Sequence, residues 1–203
     1  MINYALTTKE RVKEKLGITN NSFDSLFDRL IAGVTDYIEN YCNRRFRKQT
    51  GIVEIVSVEE DNQSFFVLRN APVSNLVVYY NSGTPSAPNW TEYPADGYEL
   101  VGNGESGLVK IYGGVGKGVN VIKFVYDGGY LVDWSNEYDI TKHNLPHDLA
   151  ELADRLVIRW YKKRESAGKA SESYEGGSVN WKETIDEEDK SILDYYKRVI
   201  FIV

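Results

Sequence analysis

Five groups of residues in this sequence could do chemistry: a glycine-lysine segment, a histidine pair, a single cysteine, an acidic run and a basic cluster. Gly113-Gly114-Val115-Gly116-Lys117-Gly118 has the composition of a phosphate-cradling loop. Its spacing is wrong, because such a loop needs a glycine where Ile111 stands and Ser or Thr where Gly118 stands. The segment also joins two strand-like runs and opens no helix, so no helix N-terminus would face a phosphate. A glycine-rich hairpin turn is the expected structure. His143 and His147 have the i, i+4 spacing of two ligands on one helix face. Pro146 lies between them and starts a helix, which leaves His143 outside it. With Asp148 as the strongest nearby third donor, these are expected to be surface or capping histidines. Cys42, the sole cysteine, excludes an internal disulfide and a cysteine-based metal site. It sits near an apolar helical face and reads as a small core residue. No Ser or Cys stands in a nucleophile-elbow context. The acidic run 183–189 is interrupted by Ile185 and lacks the spaced oxygen ligands and glycine of a calcium loop. It reads as the acidic first turn of a helix. No catalytic residue, cofactor or metal is expected, and the chain is not expected to be an enzyme.

The basic cluster is Arg44, Arg45, Arg47 and Lys48. It is either a solvated helix end or a contact for DNA phosphate or for an acidic patch on another subunit. Residues 1–48 carry nine Lys/Arg against six Asp/Glu, 49–130 carry four against nine, and 131–203 carry eleven against fifteen. With a net charge of −6 the chain as a whole is no basic nucleic-acid binder. Fifteen Tyr outnumber seven Phe and four Trp, which suits half-buried sheet faces and subunit contacts about equally. The N-terminal stretch lacks an apolar signal-peptide core, and no apolar run approaches the roughly 20 residues of a membrane span. A cytoplasmic protein with no membrane partner is the expectation.

The elements that would position these residues fall into three regions. Residues 1–49 are helical. Thr7 and Glu10 have capping-box spacing, Val12 and Leu16 share a face, and Gly17 with Ile18 forms the stop. Asn21 or Ser22 caps a second helix whose stripe runs Phe23, Phe27, Leu30, Val34, Tyr37, Ile38 and Tyr41, widened by Leu26. Residues 50–130 switch to short β-branched and aromatic runs at 52–58, 65–68, 76–80, 98–101, 108–112 and 119–126, separated by turn chemistry. They predict an antiparallel module, a small sandwich or barrel. Residues 131–203 return to helix. Pro146 starts one with Leu149, Leu152, Leu156 and Trp160 on its buried face. The Ser-, Gly- and Glu-rich stretch 166–178 reads as a mobile loop. A last helix over 186–198 carries Ile192, Leu193 and Tyr196, and 199–203 form an apolar tail suited to burial or to a neighbour's sheet edge. The fold class is therefore α+β: a helical core of two N-terminal and two C-terminal helices with an inserted antiparallel β module.

The order of these pieces resembles the phage head-tail connector (head-completion, neck) family. The opening Leu6-Thr7-Thr8 through Leu16-Gly17-Ile18 looks like the family's capped short helix and its leucine-glycine-isoleucine stop. Leu30 through Tyr41-Cys42-Asn43-Arg44-Arg45-Phe46 is similar to its second helix and the tyrosine-cysteine-x-arginine-x-phenylalanine ending. Ala71-Pro72-Val73 through Tyr80 resembles a proline-valine strand entry, and Leu145-Pro146-His147-Asp148-Leu149 through Trp160-Tyr161-Lys162-Lys163-Arg164-Glu165 its proline-started helix. The β module is longer than in compact members and the apolar tail is unusual. The resemblance implies a structural ring in the virion neck, twelve-fold, added beneath the portal protein and joining it to a tail or stopper protein. DNA would pass through transiently, and assembly would occur in the bacterial host cytoplasm. Arg44, Arg45, Arg47, Lys48, Lys162, Lys163 and Arg164 are the candidate subunit or portal contacts. The competing reading is a non-catalytic module binding carbohydrate or peptide on its β part, with Trp90 and the surrounding Tyr as platform.

Overall fold

The computed structural model describes residues 5–164, 171–174, 177–180 and 185–198. These form two units, one from the residues up to Arg44 together with Val132–Arg198, the other from Arg45–Leu131. The first unit is helical. Helix α1 (Lys9–Leu16) starts at Thr8, whose hydroxyl accepts the Arg11 N–H at 3.4 Å. The cap is thus one residue later than the Thr7 expected from sequence, because the Thr7 hydroxyl is spent on buried Asp154. Gly17 adopts φ +67° and closes the helix, its N–H donating to Glu14 O while Ile18 N–H donates to Lys13 O. Helix α2 (Asp24–Cys42) has Phe23 at its cap position and no side-chain cap, so neither Asn21 nor Ser22 serves. Asn20 Oδ1 instead accepts the Ser22 N–H at 3.0 Å, tightening the turn before the helix.

The buried face of α2 is Phe27, Ile31, Val34, Thr35, Ile38, Glu39 and Cys42. Leu30, Tyr37 and Tyr41, read from sequence as part of the stripe, flank it half-buried. The shift has a tertiary cause: α2 meets α1 and two further helices, so the covered face is rotated from the one that periodicity favours. Helix α3 (His147–Lys163) follows Pro146 and fully buries Leu149, Leu152 and Leu156. Trp160 is half-buried and lies over Gly33 of α2, where a Cβ would come within 3.2 Å of the indole. Helix α4 (Glu187–Tyr196) is capped by Asp186, which accepts the Asp189 N–H at 2.8 Å. Burying a Leu or Phe side chain contributes roughly 1.5–3 kcal/mol, so the shared face of these helices holds the unit together.

The second unit contains β1 (Gln49–Val58), β2 (Gln63–Val67), β3 (Val73–Asn81), β4 (Trp90–Glu92), β5 (Tyr98–Leu100), β6 (Leu108–Val115) and β7 (Gly118–Gly128). They make two antiparallel sheets, ordered β1-β7-β3-β4 and β2-β6-β5. Val78, Ile122 and Phe124 of the first sheet share one core with Phe66, Val109 and Ile111 of the second, and the rings of Phe66 and Phe124 stand 5.4 Å apart. This is a sandwich. The β6–β7 connection is not the hairpin expected at 113–118. Both edges of β7 are already paired, to β1 and to β3, so β6 must join the other sheet and the glycine segment carries the crossing. The short edge strand β4 was not legible, and β1, β3 and β7 run further than their apolar runs suggested.

Two more strands, β8 (Ser171–Tyr174) and β9 (Gly177–Asn180), pair antiparallel where 166–178 reads from sequence as a mobile loop, β9 running two residues past its end. The rest of that stretch and the apolar tail 199–203 lie outside the described residues. Among the described residues no helix is long and apolar enough to cross a membrane.

Candidate assembly surfaces

The basic cluster is divided by the local backbone. Asn43 takes φ 50° and ends α2, and the Arg44 N–H then donates to Glu39 O at 3.1 Å. Arg44 is buried, 7% exposed, so it leaves the surface cluster. Arg45 is exposed and its N–H donates to Asn70 Oδ1 at 2.9 Å. Phe46 is fully buried and stacks on Tyr130 with centroids 6.5 Å apart. Tyr130 N–H donates to Phe46 O and Lys48 N–H to Tyr130 O, so 46–48 are held in extended backbone with Arg47 and Lys48 half-buried. Arg45, Arg47 and Lys48 therefore keep at least part of their side chains at the surface.

Lys162, Lys163 and Arg164 close α3, where positive charge suits the carbonyl end of a helix. Lys162 and Arg164 are exposed and Lys163 is half-buried. The Arg164 guanidinium sits 4.0 Å from the Tyr161 ring centroid and 4.9 Å from that of Phe23, which fixes its direction.

The residues that might have carried catalysis or ligand binding have structural employment. Lys117 N–H donates to Asp61 Oδ1 at 2.9 Å, and a Cβ on Gly114 would lie 2.9 Å from the Asn62 backbone. The glycine segment is packed on the β1–β2 turn. His143 is not a surface residue: it is buried against Trp134, ring centroids 4.5 Å apart, and burial pushes its pKa below the ordinary value. The sequence reading missed this because the contact depends on Trp134, in a short 3-10 turn (Trp134–Asn136) whose indole N–H donates to Ala5 O. His147 is exposed. Among the described residues no group of three His, Cys, Asp or Glu could hold a metal. Cys42 is buried, its Sγ 3.5 Å from Leu193 O, and burial pushes its thiol up to about 12, so it is no nucleophile. Trp90 lies half-buried on edge strand β4, its ring engaged by Lys123 Nζ at 4.9 Å, with Tyr79 at 4.1 Å from the same ammonium. Tyr80 and Tyr93 pack edge to face at 5.4 Å. Tyr79 and Trp90 thus engage Lys123 and Tyr80 engages Tyr93, and nothing in their arrangement favours a sugar platform.

The sequence reading missed the buried carboxylates, Asp154 and Asp189 the deepest of them. Asp154 of α3 is fully buried and accepts from the Thr7 hydroxyl, from Arg11 Nε at 3.3 Å and Nη2 at 3.1 Å, and pairs with Lys15 at 2.8 Å. Asp189 of α4, 1% exposed, is held by Arg155 at 2.8 Å and Arg159 at 2.7 Å. A signal existed for Asp154: Ala150, Ala153 and Val157 surround it at helical spacing, so it falls inside the apolar stripe. A charge at such a position announces a partner.

Comparison with known proteins accords with this picture. The sequence model of the family described as head completion protein matches residues 5–199. Among solved structures, the fold is similar to a chain from the neck of an empty GTA particle computed with C6 symmetry, at 15% identity and TM-score 0.57, covering 95% of this chain and 90% of that one. A chain from the neck of a native GTA particle computed with C12 symmetry gives 14% identity and TM-score 0.55, covering 95% and 89%. A chain from the virion of a native gene transfer agent (GTA) particle gives 15% and 0.52, covering 95% and 90%. No curated protein matches.

Proposed function

The chain belongs to the head completion protein family, and from that premise we propose that it is a non-enzymatic neck subunit whose copies form a ring between the portal and the tail, extending the DNA channel. The family match over almost the whole chain carries this reading. The likeness in fold to chains of particle necks computed with C6 and C12 symmetry supports a ring, and a twelve-fold one in the virion. Its partners are then further copies of itself, the portal protein and a tail or stopper protein, met during assembly in the host cytoplasm. The helical parts 1–49 and 131–203 and the β module 50–130 act as the working parts of each subunit.

Electrostatics agree with a conduit. Each phosphate contact deepens the salt dependence and strength of DNA binding, so a channel wall that gripped phosphate would hinder passage. A chain of net charge −6 avoids that. On this reading Arg45, Arg47 and Lys48, with Lys162, Lys163 and Arg164, face protein neighbours, their apolar stems lying along the surface.

Electron microscopy of the protein mixed with its cognate portal tests the proposal, with a ring seated on the portal as the expected image. Combined R45E and R47E substitution should weaken that assembly while the subunit's circular dichroism and melting stay unchanged. A protein that remains monomeric at all concentrations and ignores its portal would refute the reading.

A further inference from the structure

The middle of the outward face of the four-stranded sheet is apolar where a solvated sandwich face alternates to polar. Across three strands the register places Val53, Val125 and Val77 in one row, and Ile55, Lys123 and Tyr79 in the next. Val53 is 56% and Ile55 49% exposed. In the middle stands Lys123, its ammonium over the rings of Tyr79 and Trp90. Among the described residues no carboxylate lies within ion-pairing distance of it: Glu92 of this face stands two strands away opposite Tyr79, and Asp127, further along β7, accepts from the Gly51 N–H and the Asn75 amide. An ammonium among exposed aliphatic side chains calls for a partner that brings apolar groups and one carboxylate.

The helical unit displays such a group. Tyr138 is 96% and Ile140 77% exposed, on the loop between the 3-10 turn and α3. Asp139 lies between them, its carboxylate held by the Thr141 N–H at 3.0 Å and the Thr141 hydroxyl at 2.6 Å, with Lys142 at 3.5 Å. Two large apolar side chains kept in water by a well-formed loop have no role in the subunit's own core. We propose that the sheet face of one copy receives the Tyr138-Asp139-Ile140 loop of a second copy, with Asp139 directed to Lys123. The inference rests on the ring reading above and names the contact that closes it. Loop and face are different patches of the same chain, so the contact is heterologous: it leaves a free face and a free loop at the two ends and propagates until a ring closes. The apolar rows supply burial, and the charge pair sets register and partner choice.

The test uses the full chain with Ile55→Cys and Ile140→Cys together, since buried Cys42 stays out of cross-linking. Oxidation of assembled protein should give a ladder of covalent oligomers. A mixture of the two single variants should stop at dimers. Charge reversal complements it: K123E and D139K should each raise the concentration needed for assembly by about tenfold or more, and the two together should restore it. No ladder where light scattering shows rings, a disulfide closed within one chain, or absence of charge-swap rescue overturns this interface and leaves the ring reading intact. A wild type that never leaves the monomer, with or without portal, overturns both.

Discussion

Asp154 and Asp189 each tie two helices of the helical unit together. Each is a buried carboxylate on one helix clasped by cations, Asp154 by Arg11 and Lys15 of α1, Asp189 by Arg155 and Arg159 of α3. Removing one partner of a buried pair leaves the others desolvated and uncompensated, so D154A should cost roughly 3–5 kcal/mol in denaturant unfolding. The acid sensitivity of the unit follows from nearby groups. The Lys15 hydrogen bond holds the Glu151 carboxyl below its ordinary range, and the Asp189 N–H does the same for Asp186. Burial lowers His143 from 6.5. All three groups bind protons more readily unfolded than folded. Their contributions are complete above the unfolded values and are lost as pH falls through the folded ones. Melting temperature should therefore drop first below pH 6.5 through His143 and again in the carboxylate range. H143F should flatten the first step, because the group that titrates there is removed.

The helices and strands differ in how much of their stability is local. Helix α1 is short, with a Thr8 cap and a Gly17 stop, and depends on the side chains it sends to α3. T8A removes one capping bond and should cost about 1 kcal/mol, read as a shift in unfolding midpoint without change in slope. D189A acts differently, because Asp189 joins α4 to α3. Hydrogen exchange should then speed up across Glu187–Tyr196 more than in the core of α3. Strand β7 is an inner strand of its sheet, paired on both sides, and its amides should be among the slowest to exchange in the β unit.

For the whole molecule, acidic net charge and a divided basic cluster set the expected behaviour with nucleic acid. Free protein should bind duplex DNA negligibly near physiological salt in a fluorescence anisotropy titration. Tight, salt-sensitive binding abolished by R45E and R47E would place those cations on the channel wall.

The sequence alone determined the class and most of the element order. Helical periodicity, the Gly17 stop and Pro146 are local signals, and α1, α2 and α3 follow them within a residue or two at their ends. The shift from 3.6-residue to alternating periodicity after Gln49 marked the β module for the same reason. Family membership was legible because the order and spacing of several weak motifs survive together where single side chains do not. Contacts between distant segments were decided only in three dimensions. No local rule chooses Thr8 over Thr7 as the cap, since the choice depends on Asp154, far along the chain. The same holds for the rotated face of α2 and for His143, buried by Trp134. The glycine segment looked like a hairpin because turn chemistry is local, whereas the partners of β7 are not. Which cations reach the surface was decided likewise: Phe46 is drawn inward by Tyr130, and the alternation of extended backbone then leaves Arg45 outside while Arg44 stays buried.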